Sequence, residues 1–289
     1  MTVSIENEHI RATFNTKGAE LQYITGVHSN TEFLWSGDTN YWGKFSPVLF
    51  PIVGALKDDT YQYEGQTYHL PRHGFARDLE FKIEQVAEHE LLFTLTHTAE
   101  TLKNYPFEFN LGLRYKMFGA SVCCTYEVTN PANKELLFSI GGHPAFAAPL
   151  NNEGEYTDYF LQFNNDEELT YHHIVDNLLS DQLTTLQLTD KRLPLKHELF
   201  YDDALVFKAL KSDSISLMNT KNYNGLNFRF KDFPYFGIWA AKDAPFICLE
   251  PWCGIADSMH HNQQLKDKEG IVTLGPKGTW QRTWQVTCF

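Results

Sequence analysis

Residues 121–130, SVCCTYEVTN, set the reading of this chain. β-Branched and aromatic residues fill the middle of the stretch, apolar positions recur at a period near two, and an Asn-Pro turn closes it. Such a segment reads as a strand with one face buried, and it puts the adjacent Cys123 and Cys124 on opposite faces. The same rhythm recurs on both sides. Thr2–Ile10, Thr67–Leu70, Phe81–Val86, Leu91–His97, Phe109–Lys116 and Trp280–Thr287 all alternate and are bounded by turn residues. Many strands at roughly ten-residue spacing predict an all-β protein, a sandwich or barrel. Helical signal is sparse. Asp166–Leu178 reads as a short helical or irregular insertion, and Leu102–Tyr105 as a single turn. No linker, low-complexity tract or repeat divides the chain, so residues 1–289 read as one domain.

Composition supports this and removes several function classes. Hydrophobic residues make up 43% of 289, enough for a substantial core without a disulfide or metal staple. Aromatics reach 15%, and large aromatic rings favour pleated surfaces. The formal net charge is −12 and no run of Lys and Arg occurs, which argues against a nucleic-acid partner and against an anionic membrane surface. No stretch approaches the ~20 apolar residues of a membrane span. The first residues show no export signal, and five cysteines without a C-x-x-C read as a reduced, cytoplasmic chain.

Four segments depart from alternation and set ionisable residues among Gly, Pro and aromatics: SPVLFPIVG (46–54), LPRHGFARD (70–78), SIGGHPAFAAP (139–149) and FICLEPWCGIAD (246–257). In the last, an apolar strand runs into Glu250 and then Pro251, so the strand is expected to end there, leaving Glu250 beside the Trp252 indole. Desolvation of such a carboxylate raises its proton affinity, which suits a general base; a strand-end Glu paired with an Arg is the structural alternative. His143 follows two glycines and precedes a proline, with room around the imidazole for a ligand. It could serve as an acid near neutral pH, or be a turn histidine satisfied by backbone. Arg72, His73, Arg77 and Asp78 sit within seven residues and could donate to hydroxyls or to a phosphate, or form a solvated basic turn. No dinucleotide fingerprint, P-loop, nucleophile elbow or zincin motif is present. The pairs His172–His173 and His260–His261 lack metal spacing, so neither metal nor cofactor is expected.

Taken in order, these segments resemble the aldose 1-epimerase (galactose mutarotase) family, and more closely its bacterial LacX-type branch. The resemblance runs from Gly18-Ala19-Glu20-Leu21 through Trp35, Trp42, SPVLFPIVG, HGFARD, GGHPAF, FYDDALVF and FPYFGIWAA to PFICLEPWCGIAD. It implies a large antiparallel β-sandwich with a small-molecule sugar bound in an open cleft, in a monomer or homodimer. It implies that Glu250 is the base on the C1 hydroxyl and His143 the acid on the ring oxygen, opening the ring so that reclosure gives the other anomer. His73, Arg77, Asp203 and Trp239 then match sugar-contacting positions, with Asp202 competing for the aspartate role. Lys44 stands where many relatives carry Arg, and so joins the expected substrate contacts. A free aldohexose such as glucose or galactose is the expected substrate. A hexose 6-phosphate, a non-catalytic sugar-binding protein and a glycosidase or lyase are the alternatives; a glycosidase would need a second carboxylate, from Asp203 or Asp257, opposite Glu250.

Overall fold

A computed structural model describes all 289 residues. Two large antiparallel sheets dominate it. The nine-stranded sheet runs, edge to edge, through Arg192–Pro194, Tyr159–Phe163, Ser214–Asn219, Leu226–Arg229, Thr279–Cys288, Ser121–Thr129, Asn110–Phe118, Glu90–Thr96 and Lys82–Ala87. The eight-stranded sheet runs through Leu178–Gln187, Glu168–Val175, Leu205–Phe207, Tyr235–Trp239, Phe246–Cys253, Ile140–Gly142 and Val48–Leu49, with Ala145–Ala147 also paired to Phe246–Cys253. Smaller sheets, among them Thr2–Glu6, Ile10–Asn15 and Glu20–Gly26, complete the molecule.

The strand that opened the sequence reading occupies Ser121–Thr129 as expected. Val122, Cys124, Tyr126 and Val128 are buried, while Cys123, Thr125 and Glu127 lie on the half-exposed outer face. There Thr125 pairs with Thr283 at 2.8 Å, and Glu127 takes the Arg114 guanidinium at 2.6 Å. Alternation thus separates a wet face from a dry one, and the dry faces of the two sheets meet. Phe228 of one sheet lies 6.3 Å from Phe236 of the other and 5.7 Å from Phe146. The resulting cluster of 69 buried residues runs from Ile5 to Cys288. All five cysteines are free. No helix is long and apolar enough to cross a membrane.

Four expectations about these elements need correction. Thr2–Ile10 is not one strand: it breaks after Glu6, and a second strand starts at Ile10. Asp166–Leu178 is neither helical nor irregular, since Glu168–Val175 and Leu178–Gln187 form a hairpin. Asp176 and Asn177 both take positive φ, 51° and 66°, the geometry of a two-residue turn that Asp and Asn tolerate. Leu102–Tyr105 lies at the end of a true α-helix, Ala99–Asn104, capped by reciprocal bonds between Thr98 and Thr101.

The fourth correction bears on function. The strand does not end at Pro251 but continues, buried throughout, to Cys253. Its neighbour on one side is interrupted: Ile140–Gly142 and Ala145–Ala147 pair with its two ends, leaving His143 and Pro144 between them. The Leu249 N–H donates to Pro144 O at 3.2 Å, so the nitrogen two residues on, that of Pro251, points to the same side. The missing donor of Pro251 therefore coincides with the gap in the ladder, which is how a proline sits inside a central strand. Glu250 is thus a mid-strand residue held at the centre of a sheet.

Candidate active site

Residues at even positions on the Phe246–Cys253 strand face away from the other sheet. Phe246 packs against Trp42 at 5.7 Å, and Glu250 and Trp252 line a cavity of 480 Å³. The Trp252 indole spreads across the strands on either side, and both neighbours are glycines. A Cβ on Gly141 would lie 2.5 Å from Trp252 Cδ1, and one on Gly237 would lie 2.5 Å from Cη2. The glycines are there because the ring takes the space their side chains would fill.

His143, released from the ladder by the same interruption, meets Glu250 on the cavity floor. His143 Nε2 lies 3.3 Å from Glu250 Oε2, with the two side chains 10% and 2% exposed. Burial penalises the charged form of each. It lifts the Glu250 carboxyl well above its ordinary range, with Asp203 adding to the rise and Arg72 opposing it. It lowers the His143 imidazole to about 3, helped by Arg72 and Arg77. Burial thus disfavours both the Glu250 carboxylate and the His143 imidazolium, and a proton shared by the two is favoured on the carboxyl. Glu250 Oε2, His143 Nδ1 and Trp252 Nε1 are buried without a hydrogen-bond partner in the protein.

The walls come from loops. Trp42 stacks on His143 at 4.8 Å between ring centroids, and Trp239 meets His143 edge-on at 5.5 Å. The Trp42 loop is anchored by Glu20, whose carboxylate accepts from the backbone N–H groups of Phe45 and Ser46 at 2.9 and 3.1 Å. His73 takes φ 70°, and its Nδ1 accepts from Gly54 N–H at 3.1 Å. An amide can only donate, so Nδ1 carries the lone pair and the ring proton sits on Nε2, making His73 a donor there. Burial and the nearby His143 push its pKa well below the ordinary value, so it stays neutral.

Arg72 Nη1 donates to Asn177 Oδ1 at 2.8 Å, and Nη2 is 3.6 Å from Asp203 Oδ1. Arg77 lines the same cavity, with Nη2 donating to the Arg72 carbonyl at 2.8 Å. Asp202 and Asp203 both line it, but Asp202 is exposed whereas Asp203 is half-buried, pairs with Arg72 and acts electrostatically on Glu250. Asp203 is the aspartate the structure favours. Lys44 does not join the site: it is absent from the lining, and its ammonium lies 3.3 Å from Asp78. The other expected residues, Glu250, His143, His73, Arg77, Asp203 and Trp239, converge on one cavity. Sequence reasoning did not assign Trp42, Asn177 or Tyr201 to it. Asn177 was hidden by the hairpin turn read as an insertion. Cys248 also escaped notice, although it sits two residues before Glu250 on the same strand face, with its sulfur within 4.8 Å of donor atoms of both His143 and Glu250.

The fold and the cavity define a β-sandwich protein with a buried acid–base pair under aromatic walls. Comparison with known proteins narrows this. Residues 1–269 match the aldose 1-epimerase family, and the chain belongs to that family. Protein LacX (chromosomal) of Lactococcus lactis subsp. lactis is 35% identical over 298 residues, covering 99% of each chain. A galactose mutarotase related enzyme from Lactobacillus acidophilus shares 33% identity with a TM-score of 0.95, over 100% of this chain and 97% of that one. A galactose mutarotase-like protein from Lactobacillus casei shares 29% identity with a TM-score of 0.91 over the whole of both chains. Family and neighbours support a sugar epimerase or mutarotase, an isomerase type of enzyme.

Proposed function

We propose that this protein interconverts the α and β anomers of a free aldohexose such as glucose or galactose. The observation that carries the reading is the His143–Glu250 contact of 3.3 Å on the floor of an aromatic-walled cavity. Opening a sugar ring requires one group to take the C1 hydroxyl proton while another gives a proton to the ring oxygen. Two groups must then hold one proton between them, and the raised carboxyl beside the lowered imidazole suits this. Moving that proton from Glu250 to His143 creates opposite charges at close range, an attraction of about 5 kcal/mol at an effective dielectric near 20. That offsets much of the penalty burial imposes on each charge. With sugar bound, Glu250 acts as the base, His143 as the acid, and His73 Nε2–H, Arg77 and Asp203 hold hydroxyls. The rings of Trp42 and Trp239 offer apolar faces to the C–H side of a pyranose.

A hexose 6-phosphate is the second reading, because Arg72, Arg77 and Lys242 line the cavity. Arg72 is already balanced by Asp203, and Arg77 lies 3.8 Å from Asp78. This charge balance favours a neutral sugar over a phosphate dianion.

Polarimetry of freshly dissolved α-glucose, α-galactose and their 6-phosphates tests both readings. Accelerated approach to equilibrium with the free sugars is the expected result, with kcat reduced about 10²–10⁴-fold in Glu250→Gln. Saturable sugar binding with the rate unchanged across all these sugars would turn the reading to a non-catalytic binding protein.

A further inference from the structure

We infer that His143, Cys248 and Glu250 form a binding site for a thiophilic divalent cation of the Zn²⁺ class, and that its occupancy silences the acid–base pair. The binding rests on geometry alone, whereas the silencing rests on the function proposed above.

The three donors come from two adjacent strands. Cys248 and Glu250 alternate onto one face of Phe246–Cys253, and His143 lies in the break of the neighbouring strand, beside the Pro144 that pairs with Leu249. One donor atom from each lies within 4.8 Å of the others, and all three residues are buried. A four-coordinate zinc ion with ligand distances of about 2.0–2.3 Å sets its donors roughly 3.4 Å apart. The His143 Nε2 to Glu250 Oε2 distance of 3.3 Å already meets this. The sulfur, within 4.8 Å of a donor atom of each partner, needs to close in by no more than ~1.4 Å, within the reach of a side-chain rotation. Glu250 Oε2 and His143 Nδ1 lack hydrogen-bond partners, so Oε2 is free to ligate, and Nδ1 remains on the outer side of the ring when Nε2 does so.

Donor chemistry sets the class of ion. One sulfur, one imidazole nitrogen and one carboxylate oxygen suit Zn²⁺ and exclude Mg²⁺ and Ca²⁺, which take all-oxygen sets. The charges also balance. The ligating forms are a thiolate, a carboxylate and a neutral imidazole around a 2+ ion, the protons of the free groups leaving to solvent. The occupied site is neutral, so burial, which opposes each charge singly, does not oppose the set. Three protein ligands leave a fourth position facing the cavity. A metal held there occupies both the base and the acid, so it competes with sugar and acts as an inhibitor.

Co²⁺ is the probe, added to the protein in a non-thiol reductant. The expected result is one equivalent bound with a near-ultraviolet thiolate-to-cobalt charge-transfer band and visible bands of a four-coordinate ion. Cys248→Ser removes the charge-transfer band and weakens binding at least about 10-fold, a cost that loss of even a supporting partner reaches. Cys123→Ser, at the partly exposed cysteine, keeps both. Should Cys248→Ser not fold, Glu250→Gln must show the same loss of affinity. No thiolate band in the wild type, or an undiminished band in Cys248→Ser, overturns the site. In parallel, Zn²⁺ is expected to inhibit anomer exchange by the wild type and to inhibit Cys248→Ser at least about 10-fold less effectively. Anomer exchange unaffected by Zn²⁺ at concentrations that saturate the cobalt site overturns the silencing. A protein that binds Co²⁺ through Cys248 yet never exchanges anomers overturns the proposed function and leaves the cation site standing.

Discussion

Burial of His143 has a cost that acid titration should reveal. In the folded protein its pKa falls from the ordinary 6.5 to about 3, chiefly through desolvation. The unfolded chain therefore takes up this proton first on acidification. Stability contributed by the neutral, buried ring is present above pH 6.5 and is lost as pH falls toward the folded value. At 1.36 kcal/mol per pKa unit, the interval between pH 6.5 and pH 4 is worth about 3 kcal/mol. Glu250 masks this in the wild type. Its raised pKa means that the folded state keeps a proton the unfolded chain gives up, so its own contribution to stability grows as pH falls toward 4.5.

The clean comparison is Glu250→Gln against the double variant Glu250→Gln/His143→Gln. In Glu250→Gln the burial that chiefly depresses His143 remains, as do Arg72 and Arg77, so the histidine still titrates low. Urea denaturation at pH 7 and pH 4 gives a stability difference between the two variants at each pH. That difference should change by about 3 kcal/mol, with the single variant losing more on acidification. Every other carboxylate is common to both proteins and cancels. A difference independent of pH, to within ~1 kcal/mol, would show that His143 is solvated or paired and would refute the one-proton account of the site.

The same shift predicts that kcat/KM for anomer exchange stays flat through pH 6.5 on the acid side and declines only on the alkaline side as the pair loses its proton, read from a pH–rate profile; an acid limb near 6.5 would mean that an ordinary imidazole is titrating. Gly237→Ala places a methyl 2.5 Å from the Trp252 ring, so denaturation should show a loss of about 1–3 kcal/mol, with KM raised as the indole is pushed into the cavity. Lys44→Ala should leave KM and kcat within about 2-fold and stability within about 0.5 kcal/mol, because its partner is Asp78 outside the cavity and such half-exposed pairs contribute little.

The strands were legible wherever one face was wet. Ser121–Thr129 alternates cleanly because its outer positions pair with exposed Thr283 and half-buried Arg114, so polarity marks the face. The strand carrying Glu250 was harder to read, since all eight of its residues are buried and no alternation survives. Its proline then suggested an end that a gap in the neighbouring strand makes unnecessary. The Glu168–Gln187 hairpin was missed because its turn is Asp-Asn rather than a glycine pair, and with it went the placement of Asn177. Glu250, His143, His73 and Arg77, which line one cavity, stood out because they break the strand pattern amid glycine, proline and aromatics. Lys44 was misassigned for the opposite reason. Position along the chain placed it beside the cavity-forming loop, and only the folded geometry shows its ammonium turned to Asp78.

The corrected position of Glu250 changes what the site can do. A carboxylate at a strand terminus would be only partly desolvated by its neighbouring indole, with water still able to reach it. A carboxyl in the middle of a central strand cannot shed its proton to water without a large penalty, and the same penalty keeps His143 neutral. On the proposed function, neither group is then effective alone, and the two act as one unit. Replacing either residue should therefore cost nearly as much activity as replacing both, because the surviving partner faces a buried titration with no neighbour to exchange with. The interrupted strand at His143–Pro144 and the tolerated Pro251 opposite it bring this about: one break in the ladder lets the imidazole reach the carboxyl while the rest of the sheet keeps water from both.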